Sequence, residues 1–289
     1  MRLRTLPLSL SGIVTGIALA LSRGPLRPAA TVFLVLTAVL LQILVNLCNE
    51  LGDYLSGTDT EQRQGIRYSM QDGELGEGQM KKLIAVFAAL SCLSGLLMIR
   101  LSFGSLLGVL PVAFILFGAV TVYAAMHYTL GKNPYGYRGL GDIAVFIFFG
   151  LATVLGGQII ATGGLLPLEI HLLPAAGIGL LSVAVLNVNN IRDMATDAAT
   201  RRTVAIRLGV RRSKVYQTVL VTAGLLCLLS FSLAGSVTPR RLLWLLTVPL
   251  FVRHLVGVWR LEGRALDPML PLLVMSTFAL SILLLCGLL

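Results

Sequence analysis

The chain has 289 residues, of which 56% are hydrophobic and only 12% are charged, and its formal net charge is +10. This composition is typical of a polytopic membrane protein and excludes an ordinary soluble globular protein. The excess of Lys and Arg is explained by loops that face the cytoplasm and by contact with anionic lipid, so it does not indicate a nucleic-acid partner.

A membrane-spanning helix needs about 20 mainly apolar residues. The hydrophobic pattern predicts nine such helices in one transmembrane domain, residues 1–289. They are expected near Leu6–Leu21, Ala29–Leu47, Leu83–Leu101, Ser105–His127, Leu140–Ala161, Leu172–Asn187, Val215–Ala234, Leu242–Trp259 and Pro268–Leu288. Most Lys and Arg residues fall on the side that holds the N-terminus, so the positive-inside rule places that side in the cytoplasm. The first span lacks a small-residue cleavage site and is predicted to be a retained helix.

The second predicted span ends in a polar motif, NLCNELGDYLSGTD, near residues 46–59. Asn49 and Asp53 are four residues apart and share a helix face, while Glu50 and Asp59 add carboxylates. Oxygen ligands of this kind suit a hard divalent cation such as Mg²⁺. The alternative is a solvated helix end beside a loop.

A long hydrophilic segment, Glu50–Lys82, follows this motif. A loop of this length in a compact helical protein is usually functional or disordered. We expect a lid that closes over a bound diphosphate, with Arg63 and Arg67 as the side chains that reach its phosphate groups. The alternative is a solvated cytoplasmic loop.

The segment Tyr128–Asp142, YTLGKNPYGYRGLGD, combines tyrosines, glycines and ionisable side chains. Glycines allow sharp turns and close approach to a ligand. Tyrosine rings suit an aromatic acceptor, a basic side chain could pair with its carboxylate, and Asp142 could act as a base. The candidate acceptor residues are Tyr128, Lys132, Tyr135, Tyr137 and Arg138. The alternative is an aromatic belt at the membrane interface.

A second polar motif, near residues 187–197, ends the sixth predicted span. Asn189, Asp193 and Asp197 are spaced i, i+4, i+8 and are expected on one face of a helix. Aligning Asp53 with Asp193 also aligns Asn49 with Asn189, so the two motifs form an internal pseudo-repeat. Two such helix ends can share a metal-bridged diphosphate, with Arg192, Arg201 and Arg202 near the phosphates. The candidate catalytic residues are Asp193, Asp197, Asp53 and Asp142.

The rest of the chain offers fewer signals. The four cysteines lack metal-ligand spacing and are expected to be small buried hydrophobic side chains. The three histidines are isolated. Nothing after Lys214 is expected to be catalytic.

These motifs resemble those of the intramembrane aromatic prenyltransferases (UbiA-like), and within them the branch that prenylates 1,4-dihydroxy-2-naphthoate in menaquinone synthesis. The resemblance extends from RTLPLSLSGIVTGIALA through NLCNELGDYLSGTD, YTLGKNPYGYRGLGD and FFG to NVNNIRDMATD and RLG. It implies an all-α bundle of nine transmembrane helices around a central cavity that opens to the membrane. It also implies that Mg²⁺ and a polyprenyl diphosphate are held by Asn49, Asp53, Asp59, Asn189, Asp193 and Asp197.

In this family the aromatic ring is prenylated and loses its carboxyl group as carbon dioxide, giving demethylmenaquinone. The sequence departs from the family pattern at three places. Glu50 replaces the usual Asp and is still expected to bind metal. The stretch GIRYSMQDG lacks the usual Gly-Pro. ATRR replaces the Gly-Lys that usually follows Asp197, so Arg201 or Arg202 would perform the role of that Lys.

Two other functions fit the sequence. One is a prenyltransferase for a different aromatic acceptor. The other, from a different class, is a membrane transporter or lipid-binding protein, because internal repeats occur in transporters. Transporters, however, usually place ionisable residues near the middle of the membrane, whereas both polar motifs here are predicted at one cytoplasmic edge. The expected location is a bacterial cytoplasmic (inner) membrane.

Overall fold

The computed structural model describes residues 5–57, 69–70, 72–165, 169–234 and 238–289, and these residues form helices and connecting turns without a strand. Eight helices are long and apolar enough to span a membrane, and the helix that precedes them is shorter. In chain order they are α1 (Leu6–Leu21), α2 (Pro28–Leu55), α3 (Glu77–Phe103), α4 (Val109–His127), α5 (Gly141–Thr162), α6 (Leu172–Arg192), α7 (Val204–Leu233), α8 (Pro239–Arg260) and α9 (Gly263–Leu288). The predicted all-α polytopic membrane architecture is confirmed.

Proline and glycine mark several of the helix boundaries. Pro28 begins α2, where the missing N–H of proline costs no helical hydrogen bond. Gly57 follows the end of α2 with a φ of 67°. Gly104 ends α3 in the left-handed conformation, with a φ of 73°, which is accessible to glycine without steric cost. These boundaries place the polar motif of α2 at the end of the helix, where it can face a cavity.

The seventh helix begins earlier than the hydropathy predicts. Its predicted start is Val215, whereas α7 begins at Val204. The Thr203 side chain caps it by accepting a hydrogen bond from the Ile206 N–H. The backbone leaves helical geometry at Gly209, where φ is 75° and ψ is 167°. The basic residues of this segment lower its hydropathy, so an apolar window misses the helix.

The fifth helix is wider in its middle than a regular α-helix. Residues Phe146–Gly156 of α5 form a π-helical segment, a rare geometry that often occurs at functional sites. Here the backbone packs closely against α6. A Cβ atom built on Gly150 would lie 2.5 Å from Gly179 Cα and 2.8 Å from the Ala175 carbonyl oxygen. The paired glycines therefore allow two helix backbones to meet.

We expect Gly150→Ala to destabilise the protein by about 1–3 kcal/mol, because the new methyl group forces the backbones of α5 and α6 apart. Gly118→Ala is the matched control, since a Cβ on Gly118 of α4 meets nothing within 4 Å. That change should be neutral or stabilising by about 0.5–1 kcal/mol. Thermal unfolding in detergent would compare the two variants. Equal melting temperatures would contradict the close packing.

A chain of buried polar side chains joins four helices near the second motif. Asn187 Nδ2 of α6 donates to Gln217 Oε1 of α7 over 2.8 Å. Gln217 Nε2 lies 3.0 Å from His254 Nε2 of α8, and His254 Nδ1 lies 2.9 Å from the carbonyl oxygen of Met269 in α9. His254 and Gln217 are both fully buried. Because buried polar groups are costly without partners, this network fixes the relative positions of the four helices.

Candidate functional site

A cavity of about 1010 Å³ lies between the helices, and both sequence motifs contribute to its wall. One end is polar: it is lined by Asn49 and Asp53 from the end of α2 and by Asn189 and Asp193 from the end of α6. Most of the other lining side chains are apolar, including Met98, Phe114 and Ile160. The site is thus a polar region joined to a mostly apolar space.

The carboxylate of the first motif is almost completely buried. Asp53 is 1% exposed. The Tyr137 hydroxyl donates to its Oδ1 over 2.8 Å, and the Arg201 guanidinium forms an ion pair with the same oxygen. A buried carboxylate needs partners of this kind to stay ionised.

Close packing of α2 against the aromatic segment Tyr128–Asp142 positions Asn49. Asn49 Oδ1 accepts a hydrogen bond of 3.1 Å from the Thr129 hydroxyl, which also donates to the Cys48 carbonyl oxygen over 2.9 Å. A Cβ on Gly52 would lie 2.6 Å from the Thr129 carbonyl oxygen. The glycine of the motif is therefore required for the approach of the two segments.

The second motif is organised by Arg192. Its Nε and Nη2 donate to the two carboxylate oxygens of Asp193 over 2.8 and 2.6 Å, and Nη2 also donates to Asn189 Oδ1 over 2.9 Å. Its Nη1 donates to Asp267 Oδ1, 2.7 Å away at the start of α9. Arg192 therefore connects the motif to the last helix. It also fixes the orientation of the Asp193 carboxylate and remains a candidate phosphate ligand.

The prediction that Asn189, Asp193 and Asp197 lie on one face of a continuous helix is wrong. The helix α6 ends at Arg192, Asp193 caps it with φ −92° and ψ 5°, and Met194–Asp197 forms a separate single turn. Asp193 lines the cavity, whereas Asp197 is buried outside its wall. Asp197 pairs with Arg201, with Oδ2 3.4 Å from Nη1. The reason is local: the helix is interrupted at Asp193, so Asp197 does not continue the face that carries Asn189 and Asp193.

Arg201 connects the two motifs. It pairs with Asp53 of α2 and with Asp197 of the single turn, and its guanidinium carbon lies 4.5 Å from the centre of the Tyr137 ring. Its side chain is 12% exposed and lines the cavity. A planar guanidinium suits such a stacked, doubly paired position.

Several predicted site residues lie elsewhere. Glu50 is 2% exposed and accepts a hydrogen bond from the Met70 N–H over 3.3 Å, outside the cavity wall. Lys132, Arg138 and Arg202 are exposed and also lie outside that wall. The structure does not bring these four side chains to the cavity. The predictions for Asp59, Arg63 and Arg67, and with them the lid, fall outside the described residues.

The aromatic segment forms one side of the polar end. Tyr135–Arg138 is a short 3₁₀-helix, and Tyr128, Tyr135 and Tyr137 line the cavity. The Tyr128 and Tyr135 rings meet edge to face at 5.3 Å, and Tyr135 donates to the Ala124 carbonyl oxygen over 2.9 Å. Burial raises the pKa of Tyr135 to about 12 and also raises the pKa of Tyr128 and of Tyr137. These hydroxyls therefore stay protonated near neutral pH and act as hydrogen-bond donors.

Asp142 lines the cavity at the first turn of α5. The Tyr216 hydroxyl, which projects from α7, donates to its Oδ2 over 3.0 Å. The Tyr128 hydroxyl lies beside the same turn, 3.0 Å from where a Cβ on Gly141 would be. Asp142 is therefore a carboxylate held in a fixed orientation beside an aromatic wall.

Sequence reasoning missed three residues of this region. Arg264 and Asp267 line the cavity although they come after Lys214, where no catalytic residue was expected, and Tyr216 supports Asp142 from α7. None of them lies in a repeated or spaced motif. The one available signal was an Arg and an Asp just before an apolar span, on the side where the two motifs were predicted.

The oxygen donors at the polar end suit a hard divalent cation, since Asp53 and Asp193 supply carboxylates and Asn49 and Asn189 supply amide oxygens around one cavity. Among the residues the structure describes, no group of three or more His, Cys, Asp or Glu side chains converges as a metal site. In their present positions, Arg201 and Arg192 provide the positive charge for the two motif carboxylates. The two carboxylates and two amide oxygens are thus ligand types that suit Mg²⁺, although in this arrangement the arginines pair with the carboxylates.

The fold and the site define an integral membrane protein with a large, mostly apolar cavity that carries carboxylates, amides and arginines at one end. The chain belongs to the UbiA prenyltransferase family, whose sequence profile matches residues 9–286. The predictions of the family and of a membrane prenyltransferase are confirmed.

Curated relatives cover nearly the whole chain. A protein of Haemophilus influenzae named 1,4-dihydroxy-2-naphthoate octaprenyltransferase is 38% identical, over 100% of this chain and 94% of its own length. Proteins with the same name from Escherichia coli and Mycobacterium tuberculosis are 37% and 35% identical. The alignments cover 99% and 94% of this chain and 92% and 88% of those proteins.

Proposed function

We propose that the protein transfers a polyprenyl group from polyprenyl diphosphate to the ring of 1,4-dihydroxy-2-naphthoate, with loss of the ring carboxyl group as carbon dioxide, in menaquinone biosynthesis. The observation that carries the proposal is that Asp53 and Asp193, from the ends of α2 and α6, line the same mostly apolar cavity. The names of the full-length relatives support the choice of acceptor.

The donor substrate fits the two parts of the cavity. Its polyprenyl chain would lie among the apolar side chains, and its diphosphate would lie at the polar end near Arg201 and Arg192. Asn49, Asp53, Asn189 and Asp193 would hold Mg²⁺, which neutralises the negative charge that develops on the leaving diphosphate. The arginines contribute to the same stabilisation because their donors are already positioned. Asp197 would act indirectly, by orienting Arg201.

The carbon–oxygen bond to the diphosphate breaks, and its electron pair leaves with the diphosphate. The apolar walls exclude water from the allylic cation that results. The acceptor ring would lie against Tyr128 and Tyr135, and Asp142 would take a proton from its hydroxyl, which makes the ring a stronger nucleophile. The ring carbon that carries the carboxylate would form the new carbon–carbon bond to the allylic cation. The bond from that carbon to the carboxylate would then break, its electron pair would return to the ring as carbon dioxide leaves, and Asp142 would give the proton back to the ring oxygen.

The protein is an integral membrane protein, and we propose that it resides in a bacterial inner membrane with the polar end of the cavity in the cytoplasm. Polyprenyl diphosphate and Mg²⁺ would then reach Asp53 and Asp193 from the side where both are found. The basic residues concentrated on the same side support this orientation.

A mass spectrum of the product tests the function. Purified protein with Mg²⁺, dihydroxynaphthoate and a polyprenyl diphosphate is expected to form a prenylated naphthoquinol without the carboxyl group, together with diphosphate. A parallel reaction with chelator controls for metal. Prenylation of another aromatic ring without turnover of dihydroxynaphthoate would identify a different acceptor. Release of neither diphosphate nor prenylated product with any ring would favour the transporter or lipid-binding alternative.

A further inference from the structure

The position of Arg201 suggests a role beyond contact with phosphate. Its guanidinium is paired with Asp53 and Asp197, which are 1% and 3% exposed. A carboxylate this deeply buried requires a counter-ion, because an unpaired charge would be strongly destabilising. Arg201 supplies that charge to both motifs at once.

We propose that Arg201 is an exchangeable counter-ion: it pairs with Asp53 while the site holds no divalent cation, and it moves to the diphosphate when a cation binds this carboxylate. The inference deepens the proposed function, and it rests on that function for the identity of the diphosphate ligand. Arg201 and a cation at Asp53 would compete for the charge of one carboxylate, to whose Oδ1 the guanidinium donates.

The movement would be a rotation of the Arg201 side chain, because the backbone N–H of Arg201 donates to the Asp197 carbonyl oxygen over 2.8 Å. Arg201 lies between the single turn Met194–Asp197 and the start of α7 at Val204, outside any helix. Its side chain already lines the cavity, and the Tyr137 ring offers a second surface 4.5 Å from the guanidinium. A guanidinium released from Asp53 would therefore remain inside the cavity.

Arg192 differs from Arg201 in this respect. It belongs to α6, and its pairing with Asp267 anchors it to α9 in addition to its contacts within the motif. A cation at Asp193 would leave that anchor in place. The exchange is thus specific to Arg201.

The exchange links two binding events. A cation at Asp53 would displace Arg201 from the carboxylate, and this lowers the affinity for the cation when no diphosphate is bound. Diphosphate gives the displaced guanidinium a new bidentate partner. The two ligands therefore bind with positive coupling through Arg201, in addition to their direct attraction, and coupling of this kind is reciprocal.

The experiment measures Mn²⁺ binding to the purified full-length protein by electron paramagnetic resonance, with and without inorganic pyrophosphate. Arg201→Gln should bind Mn²⁺ alone about tenfold more tightly than the wild type, because the competitor is gone. The extra affinity that pyrophosphate gives to Mn²⁺ should fall by about the same factor. Without metal, this variant should melt at a lower temperature, and Mn²⁺ should stabilise it more than it stabilises the wild type.

Arg212→Gln is the matched control: Arg212 is an exposed arginine of α7 outside the cavity wall, and its loss should change neither affinity nor coupling. Equal or weaker Mn²⁺ binding by Arg201→Gln would overturn the proposal. Tighter binding with unchanged coupling would also overturn it, since Arg201 would then act only through its local charge. If Arg201→Gln does not fold without metal, Arg201→Lys should show the same two changes with smaller size, and their absence would overturn the exchange.

Neither measurement uses an aromatic acceptor or a prenyl chain. A different acceptor, which would contradict the proposed function, would leave these results intact. Conversely, a failed exchange would leave the product analysis intact.

Discussion

Asp53→Asn is expected to lower kcat/KM for polyprenyl diphosphate by about 10³-fold, a loss typical of removing a major stabiliser of transition-state charge. Asparagine has nearly the same shape and can still accept the Tyr137 hydrogen bond. It lacks the negative charge that would hold a divalent cation at the end of α2. The measurement is steady-state release of pyrophosphate by purified protein, with a melting curve of the same sample.

Glu74→Gln provides the control, because Glu74 is an exposed carboxylate outside the cavity wall. It should retain the activity of the wild type. Asp193→Asn should behave like Asp53→Asn, since both carboxylates line the polar end of the cavity. A folded Asp53→Asn protein with wild-type turnover would show that Asp53 does not contribute to catalysis.

Most of the helical architecture could be predicted from hydropathy, because each span carries its signal within about 20 consecutive residues. The prediction was least accurate where a helix is polar. The first turns of α7 contain Arg207, Arg211 and Arg212, so an apolar window began at Val215 and missed them. The π-helical segment of α5 could not be predicted, and neither could its close approach to α6, since Gly150 and Gly179 are far apart in sequence.

The placement of Asp53 and Asp193 at one cavity followed from local spacing and from the repeat, both of which the sequence contains. The position of Asp197 outside the cavity wall could not be predicted in this way, because the i, i+8 spacing assumes a continuous helix and the chain turns after Arg192. Asp267 and Tyr216 could not be predicted, because they reach the site from helices that are distant in sequence.

The basic residues also show that sequence alone locates a segment but not the direction of its side chains. Lys132 and Arg138 lie next to tyrosines that line the cavity, yet both side chains are exposed. Sequence proximity indicated the right segment, while the 3₁₀-helix Tyr135–Arg138 decides which of its side chains face the cavity. Arg201 and Arg202 are neighbours, and the structure brings Arg201 alone of the two to the cavity wall.

Asp142→Asn is expected to lower turnover with the aromatic acceptor by about 10²–10⁴-fold, the usual contribution of a general base. The amide keeps the size of the side chain and can still accept a hydrogen bond from Tyr216, but it cannot take a proton. Binding of Mn²⁺ and pyrophosphate should be unchanged, because these ligands are assigned to Asp53 and Asp193. Acceptor turnover and pyrophosphate binding would be measured on the same preparation.

Tyr216→Phe tests whether the orientation of Asp142 contributes to this step. Loss of one hydrogen bond of about 1 kcal/mol would lower acceptor turnover roughly fivefold and leave pyrophosphate binding unchanged. Tyr123→Phe is the matched control, because Tyr123 is exposed on α4, stacks on His127 and lies outside the cavity wall. If Asp142→Asn and Tyr216→Phe weaken pyrophosphate binding as much as they slow acceptor turnover, Asp142 supports the structure of the polar end and the base must be another group. If only acceptor turnover falls, and falls further for Asp142→Asn, the two residues act together on the acceptor ring.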